Sequence, residues 1–411
     1  SCCQQQQQQQ YCTFALSFTH TNKHPTQHTM PSKQKGARTE KMTGRQKSLI
    51  LSILSQLRFG ADMTKILIPV DFLEARSLTE KVTDFWTHGY LITDACKLES
   101  PMERMIGIVK WYLSCWHIGP QGVKKPYNPI LGETYRCNFE MPDKSITTFL
   151  AEQVSHHPPI TAIKAENKSH DVLIGGWYYP RTKFLGNSAG SCAEGLMKMT
   201  FVKHDEVYEA SWPDFFARGI IFGKVTMEIC GKTFIKCEKT GLRAEFDFKA
   251  KPFFGGEYNV VEARILRGDE ELYTISGKWT EGYTIKKRGE KTGVPFFDCD
   301  TAFRLDKNVI PRKHLLPFES HVVWRYLTKA IRDGNVEGAA DEKENVEKEQ
   351  RLIQKRRDQE NIVYQPRYFK RNDKENYWDF VGDHSSVYKC LLHPIGSEAY
   401  EKERQKIDAK P

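Results

Sequence analysis

No apolar run in this chain approaches the roughly 18 to 20 residues that a membrane-spanning helix needs. The start, with glutamine from Gln4 to Gln10, lacks the apolar core of a secretory signal, so the chain reads as soluble as given. No C-x-x-C pair occurs. The eleven cysteines are an odd number at irregular spacings, three of them in the polar N-terminus, and predict reduced thiols in the cytosol rather than a disulfide framework. The absence of a compact arginine-rich stretch or zinc knuckle argues against nucleic acid, and the absence of a G-x-S-x-G elbow argues against a hydrolase. Neither sign of charge dominates: 61 Lys and Arg face 52 Asp and Glu, for a net charge of +9. That surplus suits contact with an anionic lipid surface. Apolar residues reach only 39%, as long polar ends would produce, whereas aromatics make up 12% and β-branched residues are frequent in the middle.

Residues 1–45 mix Gln, Thr, His, Lys, Gly and Pro without an apolar period and predict a disordered tail. The first residue is Ser rather than Met, so an upstream domain or targeting segment is expected to be missing. From Ser48 to Phe59 the pattern changes. Leu49, Ile50, Ile53, Leu54 and Leu57 fall at helical spacing opposite Ser48, Ser52 and Ser55, which predicts a short amphipathic helix. Such a helix either docks on its own domain or touches a membrane reversibly, and a mobile lid would do both. After an extended stretch over Lys65 to Glu74, helices are predicted over about Leu78 to Trp86 and Pro101 to Trp116. The second carries a packing stripe of Met102, Met105, Ile106, Val109, Tyr112, Leu113 and Trp116.

Between about Thr147 and Lys287, short runs alternate with turn residues roughly every ten positions, as in an antiparallel sandwich or barrel. Val225, Met227 and Ile229 alternate with Thr226, Glu228 and Cys230; Phe246 and Phe248 alternate with Glu245, Asp247 and Lys249. Each strand should show one apolar and one polar face. Gly175-Gly176-Trp177, Lys183 to Ser188 and Gly255-Gly256 read as turns or bulges. Helix returns over Trp324 to Arg332 and, after Gly334-Asn335, over Ala339 to Asp358, so the fold class is mainly β with helical additions.

The stretch with the most chemistry is Glu152 to Pro159 (EQVSHHPP). On a strand His156 and His157 would face opposite ways, so for both to meet one ligand the backbone must bend, and Pro158-Pro159 would help end the pairing. An anion cradle at a strand end and two half-exposed histidines at a turn both fit. Lys124 and Lys125 with Asn128 are likewise either donors to an anion or solvated surface groups. Lys343, Glu347 and Arg351 recur every four residues on one helix face, a pattern that exposed helices also show. Ser155 beside two histidines, with Glu152 near, lacks the geometry of a nucleophile and base, and His156 with His157 lacks further metal ligands at recognisable spacing. No catalytic or metal residues are predicted.

EQVSHHPP, together with Lys125 to Glu133 (KPYNPILGE), Lys251 to Gly256 (KPFFGG) and the Lys343, Glu347, Arg351 set in the same order, resembles the oxysterol-binding protein-related family of lipid-transfer proteins from about Ile66 to about Trp378. The chain departs from that pattern at Ala75, where the family commonly has proline. The resemblance implies a large antiparallel β-barrel enclosing a lipid tunnel, with an N-terminal lid and a helical C-terminal subdomain. It divides the chain into a tail over 1–45, a lipid-transfer domain over 46–385 (lid 46–75, helical part 76–120, barrel 121–305, C-terminal helices 306–385) and a tail over 386–411, partly ordered at most. It places Lys125, Asn128, His156, His157, Lys343, Glu347 and Arg351 around a lipid head group, and Leu67, Ile68 and Val70 of the lid base against glycerol or upper acyl chains. Phosphatidylinositol 4-phosphate is the implied ligand, exchanged for phosphatidylserine or a sterol. The runs WYLSCWHIGPQGVKKPYNPILGETYRC and GIIFGKVTMEICGK look closest to the phosphatidylserine-exchanging branch. No cofactor is implied, nor an enzyme; a lipid sensor or tether without net transport is the alternative. The implied location is cytosolic, peripheral at membranes, at endoplasmic reticulum contact sites.

Overall fold

The computed structural model describes residues 70–119, 122–221, 224–252 and 254–408, together with 38–40, 43, 44, 46–48 and 52. Leu67 and Ile68 lie outside these residues, as does the expected helix over 48–59 except for Ser48 and Ser52, both helical.

The strands are β1 (Arg38–Glu40), β2 (Leu73–Ser77), β3 (Lys125–Tyr127), β4 (Thr134–Glu140), β5 (Ile146–His156), β6 (Pro159–Asn167), β7 (Val172–Phe184), β8 (Ser188–Phe201), β9 (Glu206–Ala210) and β10 (Asp214–Arg218). They continue as β11 (Val225–Cys237), β12 (Leu242–Phe248), β13 (Val260–Arg267), β14 (Glu270–Lys278), β15 (Gly282–Lys287), β16 (Val294–Asp298), β17 (Asn308–Val309), β18 (Phe369–Asn372) and β19 (Tyr377–Phe380). Fifteen of them, β1 and β4 to β17, make one antiparallel sheet that runs from β16 through β11 and β5 to β4 and β17. Neighbours in sequence are mostly neighbours in space, the arrangement that short turns between alternating strands dictate.

The sheet curls around the helix Pro101–Ser114. Proline at its first turn suits a position whose N–H has no helical partner. Met105, Val109, Trp111, Tyr112 and Leu113 are fully buried, and one core cluster joins them to Tyr135 and Phe139 of β4 at one end of the sheet and to Tyr283, Phe296 and Phe297 at the other. Gly107 lets the helix Tyr90–Ala95 cross closely, because a Cβ there would stand 2.6 Å from the Cβ of Ala95. The expected packing stripe is thus the centre of the barrel. Among the described residues its two ends, β16 and β17, are not joined by a ladder, and residues of the segment from Val82 to His117 pack toward both sides of that gap. Trp86 packs on Phe149 of β5 at 5.3 Å, and His88 packs on Phe297 of β16 at 5.2 Å. His88 meets His117 at 2.8 Å, Nε2 to Nε2.

Several local expectations change. β12 alternates buried and half-buried residues as its sequence predicts, but Thr226 and Glu228 of β11 are buried. Arg218 pairs with Glu228 at 2.9 Å, and β1 covers that end of β11, so Arg38–Glu40 is a strand rather than part of a disordered tail. Gly175 and Gly176 sit in the middle of β7, not at a turn. A Cβ on Gly175 would meet the Tyr377 hydroxyl at 2.7 Å, so the glycine admits β19 across the sheet. The segment from residue 386, expected to be partly ordered at most, forms helices over Ser386–Lys389 and Glu398–Asp408. Tyr388, Cys390, Leu391 and Tyr400 are buried against Leu150, Val154 and Ala162 on the outer face of β5 and β6. Among the described residues, no helix is long and apolar enough to cross a membrane.

Candidate functional site

β5 ends at His156, which pairs with Pro159, the first residue of β6. The prolines therefore do not end the pairing; His157 and Pro158 turn it into a tight hairpin, with a cis bond between them. A register shift between Gln153 and Ser155 supplies the bend that the paired histidines require. Their rings lie 4.7 Å apart at 67°. His157 is exposed. His156 is largely covered, and its Nδ1 is buried without a hydrogen-bond partner. Burial first, and then the neighbouring His157, press its pKa down to about 4, against the opposing pull of the Pro129 carbonyl and of Glu347. At neutral pH the ring is uncharged.

The Lys125–Glu133 loop is held against β5 by main chain on both sides, Gly132 donating to the Gln153 carbonyl at 2.9 Å and Gln153 to the Glu133 carbonyl at 2.8 Å. Gly132 takes φ +82°, the left-handed region that glycine favours. Beneath the loop the buried Glu133 carboxyl accepts from Thr79 at 2.8 Å, Trp324 Nε1 at 2.7 Å and the Ile130 amide at 3.1 Å, while burial raises its pKa. The two lysines part company. Lys124 donates to the Asp71 carbonyl at 2.9 Å. Lys125 is wetted, yet crowded enough by protein that desolvation, with Lys343 adding to it and Glu347 opposing, lowers its pKa to about 8. Asn128 is exposed on the same loop, one residue before the Pro129 carbonyl that touches His156.

The third component is the helix Val336–Gln359, which Asn335 caps by accepting from the Gly338 amide at 2.9 Å. Ala339 is buried with Val70, Leu73 and Tyr127, so the helix is seated on the strand pair β2–β3 and on the base of the segment preceding it. On that seated side Lys343 contacts Glu347 at 2.8 Å, and Arg351 approaches the other carboxylate oxygen at 4.0 Å. Exposure rises along the row from 17% through 26% to 61%. Lys125, His156, Lys343 and Glu347 thus share one electrostatic cluster, with His157 joined through its ring contact and Arg351 through Glu347. Val70 is buried in the hydrophobic seat of the helix.

One residue of this face is not singled out in the sequence. Gln350 lies one helical repeat beyond Lys343, and its Oε1 is buried without a partner, like His156 Nδ1; reading the face at i, i+4 and i+7 would have found it. Glu152 is structural. Its carboxylate accepts from the Tyr364 hydroxyl at 2.7 Å and from the amides of Arg367 at 2.8 Å and Tyr368 at 2.9 Å. Those bonds commit both carboxylate oxygens to the 364–368 segment. Among the described residues no group of three or more His, Cys, Asp or Glu could hold a metal ion. The arrangement offers Lys125, Lys343 and Arg351 beside the uncharged His156 ring with its unpaired buried Nδ1: it suits an anionic ligand with several acceptor oxygens.

Comparison with known proteins finds that the model of the family described as "Oxysterol-binding protein" matches residues 52–388. Oxysterol-binding protein 4 of Dictyostelium discoideum is 40% identical over 368 residues, covering 87% of this chain and 77% of that protein. Oxysterol-binding protein-related protein 5 of Mus musculus is 35% identical over 350 residues, covering 84% of this chain and 40% of that protein. Among solved structures, the Osh1 ORD domain in complex with cholesterol superimposes with a TM-score of 0.68 at 26% identity, over 86% of this chain and 88% of the other. The Saccharomyces cerevisiae Osh3 ORD in complex with PI(4)P shares the fold, with a TM-score of 0.65 at 20% identity over 91% of this chain and 95% of the other.

Proposed function

The chain belongs to the oxysterol-binding protein family, and from that premise we propose that it is a lipid-transfer protein that exchanges phosphatidylserine for phosphatidylinositol 4-phosphate between membranes. The observation that carries the proposal is the cluster of Lys125, His156, Lys343 and Glu347, drawn from the start of β3, a hairpin and a helix far apart in sequence, with His156 Nδ1 buried and unpartnered. A buried polar atom left unpaired costs about 1 to 3 kcal/mol, which a phosphate oxygen would recover.

In this reading the phosphomonoester, which carries about two negative charges near neutral pH, is met by Lys125, Lys343 and Arg351. His156 and His157 donate to its oxygens, and His156 takes up a proton as the dianion arrives. Glu347 orients Lys343 and Arg351 or accepts from an inositol hydroxyl, and Asn128 serves as both donor and acceptor. Leu67, Ile68 and Val70 meet the glycerol or the upper chains. The acyl chains need a covered apolar interior, since each methylene left in water costs about 0.8 kcal/mol. For the second lipid, phosphatidylserine is favoured by the likeness of the two sequence runs named above to that branch. A sterol is the second reading, favoured by the Osh1 domain, 26% identical to this chain, whose structures contain cholesterol and ergosterol. Transfer would proceed without catalysis or a cofactor, with the protein peripheral to membranes at endoplasmic reticulum contact sites.

The test is transfer between two vesicle populations, with labelled phosphatidylserine or labelled sterol in the donors and phosphatidylinositol 4-phosphate present or absent in the acceptors. Acceleration of serine-lipid transfer by acceptor phosphoinositide, abolished by His156→Ala with His157→Ala, supports exchange through one pocket. Acceleration of the sterol alone selects the second reading. Vesicle binding without transfer of either lipid makes the protein a sensor or tether.

A further inference from the structure

The helix that supplies Lys343, Glu347 and Arg351 does not end in a polar tip. Leu352 and Ile353 are 60% and 44% exposed, and Ile362 and Val363, just past the helix end, are 52% and 76% exposed. These four apolar side chains fall within twelve residues. The segment is not frayed. Asn361 adopts φ +52° and donates to the Asp358 carbonyl at 3.4 Å, and Ile362 donates to the Arg357 carbonyl at 2.8 Å, a paired closure that turns the chain back beside the last helical turn. Two residues later Tyr364 is anchored on Glu152 at 2.7 Å and lies under the Arg357 guanidinium at 5.2 Å. The apolar side chains are therefore held outward on a fixed scaffold.

Their neighbours over 348–360 are charged with a basic excess, Lys348, Arg351, Lys355, Arg356 and Arg357 against Glu349, Asp358 and Glu360. Lys348 stands one turn before Leu352 and Lys355 three residues after it; both are exposed, and neither forms a salt bridge among the described residues. Apolar side chains held in water, flanked by two uncommitted lysines, match an interface in which chains enter the acyl boundary while lysines meet anionic heads. Arg351, directly before Leu352, belongs to the proposed head-group cluster. We propose that Leu352, Ile353, Ile362 and Val363, with Lys348 and Lys355, are a docking ridge for an anionic bilayer, which seats the head-group site on the membrane from which it takes its lipid. The inference rests on the lipid-transfer reading and adds the surface through which the protein engages a membrane.

The test uses the full chain in flotation with vesicles of phosphatidylcholine alone or mixed with phosphatidylserine, alongside binding of water-soluble short-chain phosphatidylinositol 4-phosphate followed by tryptophan fluorescence. Wild type should float with the anionic vesicles and detach as salt rises. Ile362→Asp with Val363→Asp, and separately Lys348→Glu with Lys355→Glu, should each weaken flotation about tenfold or more while binding of the short-chain lipid is unchanged. The ridge is refuted if either pair floats as wild type does, if wild type binds short-chain lipid but no vesicles, or if the variants lose self-association in the ultracentrifuge instead of vesicle binding. Failure of wild type to bind the short-chain lipid overturns the transfer reading itself, whatever the flotation shows.

Discussion

The Glu152 carboxylate accepts the hydroxyl of Tyr364 at 2.7 Å, tying the first residue of the EQVSHHPP stretch to the segment that follows the long C-terminal helix. The hairpin with the two histidines and the helix with Lys343 are thereby positioned by one buried acceptor. Tyr364→Phe removes the charge-assisted bond to Glu152 together with the bond the hydroxyl accepts from Arg367 at 3.0 Å, and should cost about 1.5 to 3 kcal/mol in urea unfolding. Glu152→Ala also strands the amides of Arg367 and Tyr368 and should cost more. Equal losses in the two variants would show that Glu152 acts through Tyr364 alone.

Lys343→Ala relieves the cation that helps press the Lys125 pKa down to about 8. The Lys125 pKa should rise toward its ordinary value, which NMR titration of the lysine side chains reads directly. Affinity for short-chain phosphatidylinositol 4-phosphate should fall about 10- to 100-fold, since a charge-assisted contact is lost in a desolvated site. A loss of affinity with an unmoved Lys125 would separate the two residues.

Binding should also take up a proton. Free His156, held at about 4, is neutral at pH 7, and an arriving phosphate dianion favours its charged form. Calorimetry in buffers of different ionisation enthalpy should therefore show net proton uptake near neutral pH, abolished in His156→Ala. For the free protein the sign is opposite. A histidine whose pKa lies below its unfolded value binds fewer protons folded than unfolded, so its contribution to stability is present above about pH 6.5 and is lost as pH falls toward 4. Unfolding midpoints measured across that window should fall less steeply for His156→Ala.

Removing residues 386–411 should destabilise the domain. The cut strips Tyr388, Leu391 and Tyr400 from the outer face of β5 and β6. It also removes the Val387 carbonyl and Cys390 Sγ, each 3.3 Å from Arg136 NH1. Arg136 keeps its buried pairing with Glu319 at 2.6 Å, so the expected loss is chiefly apolar, about 1.5 to 3 kcal/mol for each large side chain. A truncated chain that melts with the full-length protein would refute this.

The sequence made the interior legible wherever one rule acted alone. Phe246 and Phe248 follow the strand period, and the stripe from Met105 to Trp116 follows the helix period; both are core. Motifs led to the charged cluster because no local pattern links Lys125, His156 and Lys343, whose meeting depends on folding across more than 200 residues. Where two elements cross, local reading failed. Gly175 looks like a turn residue until β19 passes over it, Thr226 and Glu228 look exposed until β1 and Arg218 cover them, and the charged helix from Glu398 hides the buried Tyr400. The Glu152 carboxyl reads as a chemical group beside Ser155 and the histidines because its donors lie in a distant segment.

The seam between β16 and β17 sets the mechanical character of the molecule. In a barrel closed by its ladder, strand number and shear together fix the girth, and widening it means breaking a whole register of hydrogen bonds. Here, among the described residues, the circuit is completed by side chains, Trp86 on Phe149 of β5, two strands in from the β17 end, and His88 on Phe297 of the terminal strand β16. Packing contacts can slide through small displacements without losing a hydrogen bond. The girth of the barrel is consequently held at that seam by packing rather than by register, and it can change by small amounts while every strand of the ladder keeps its partner.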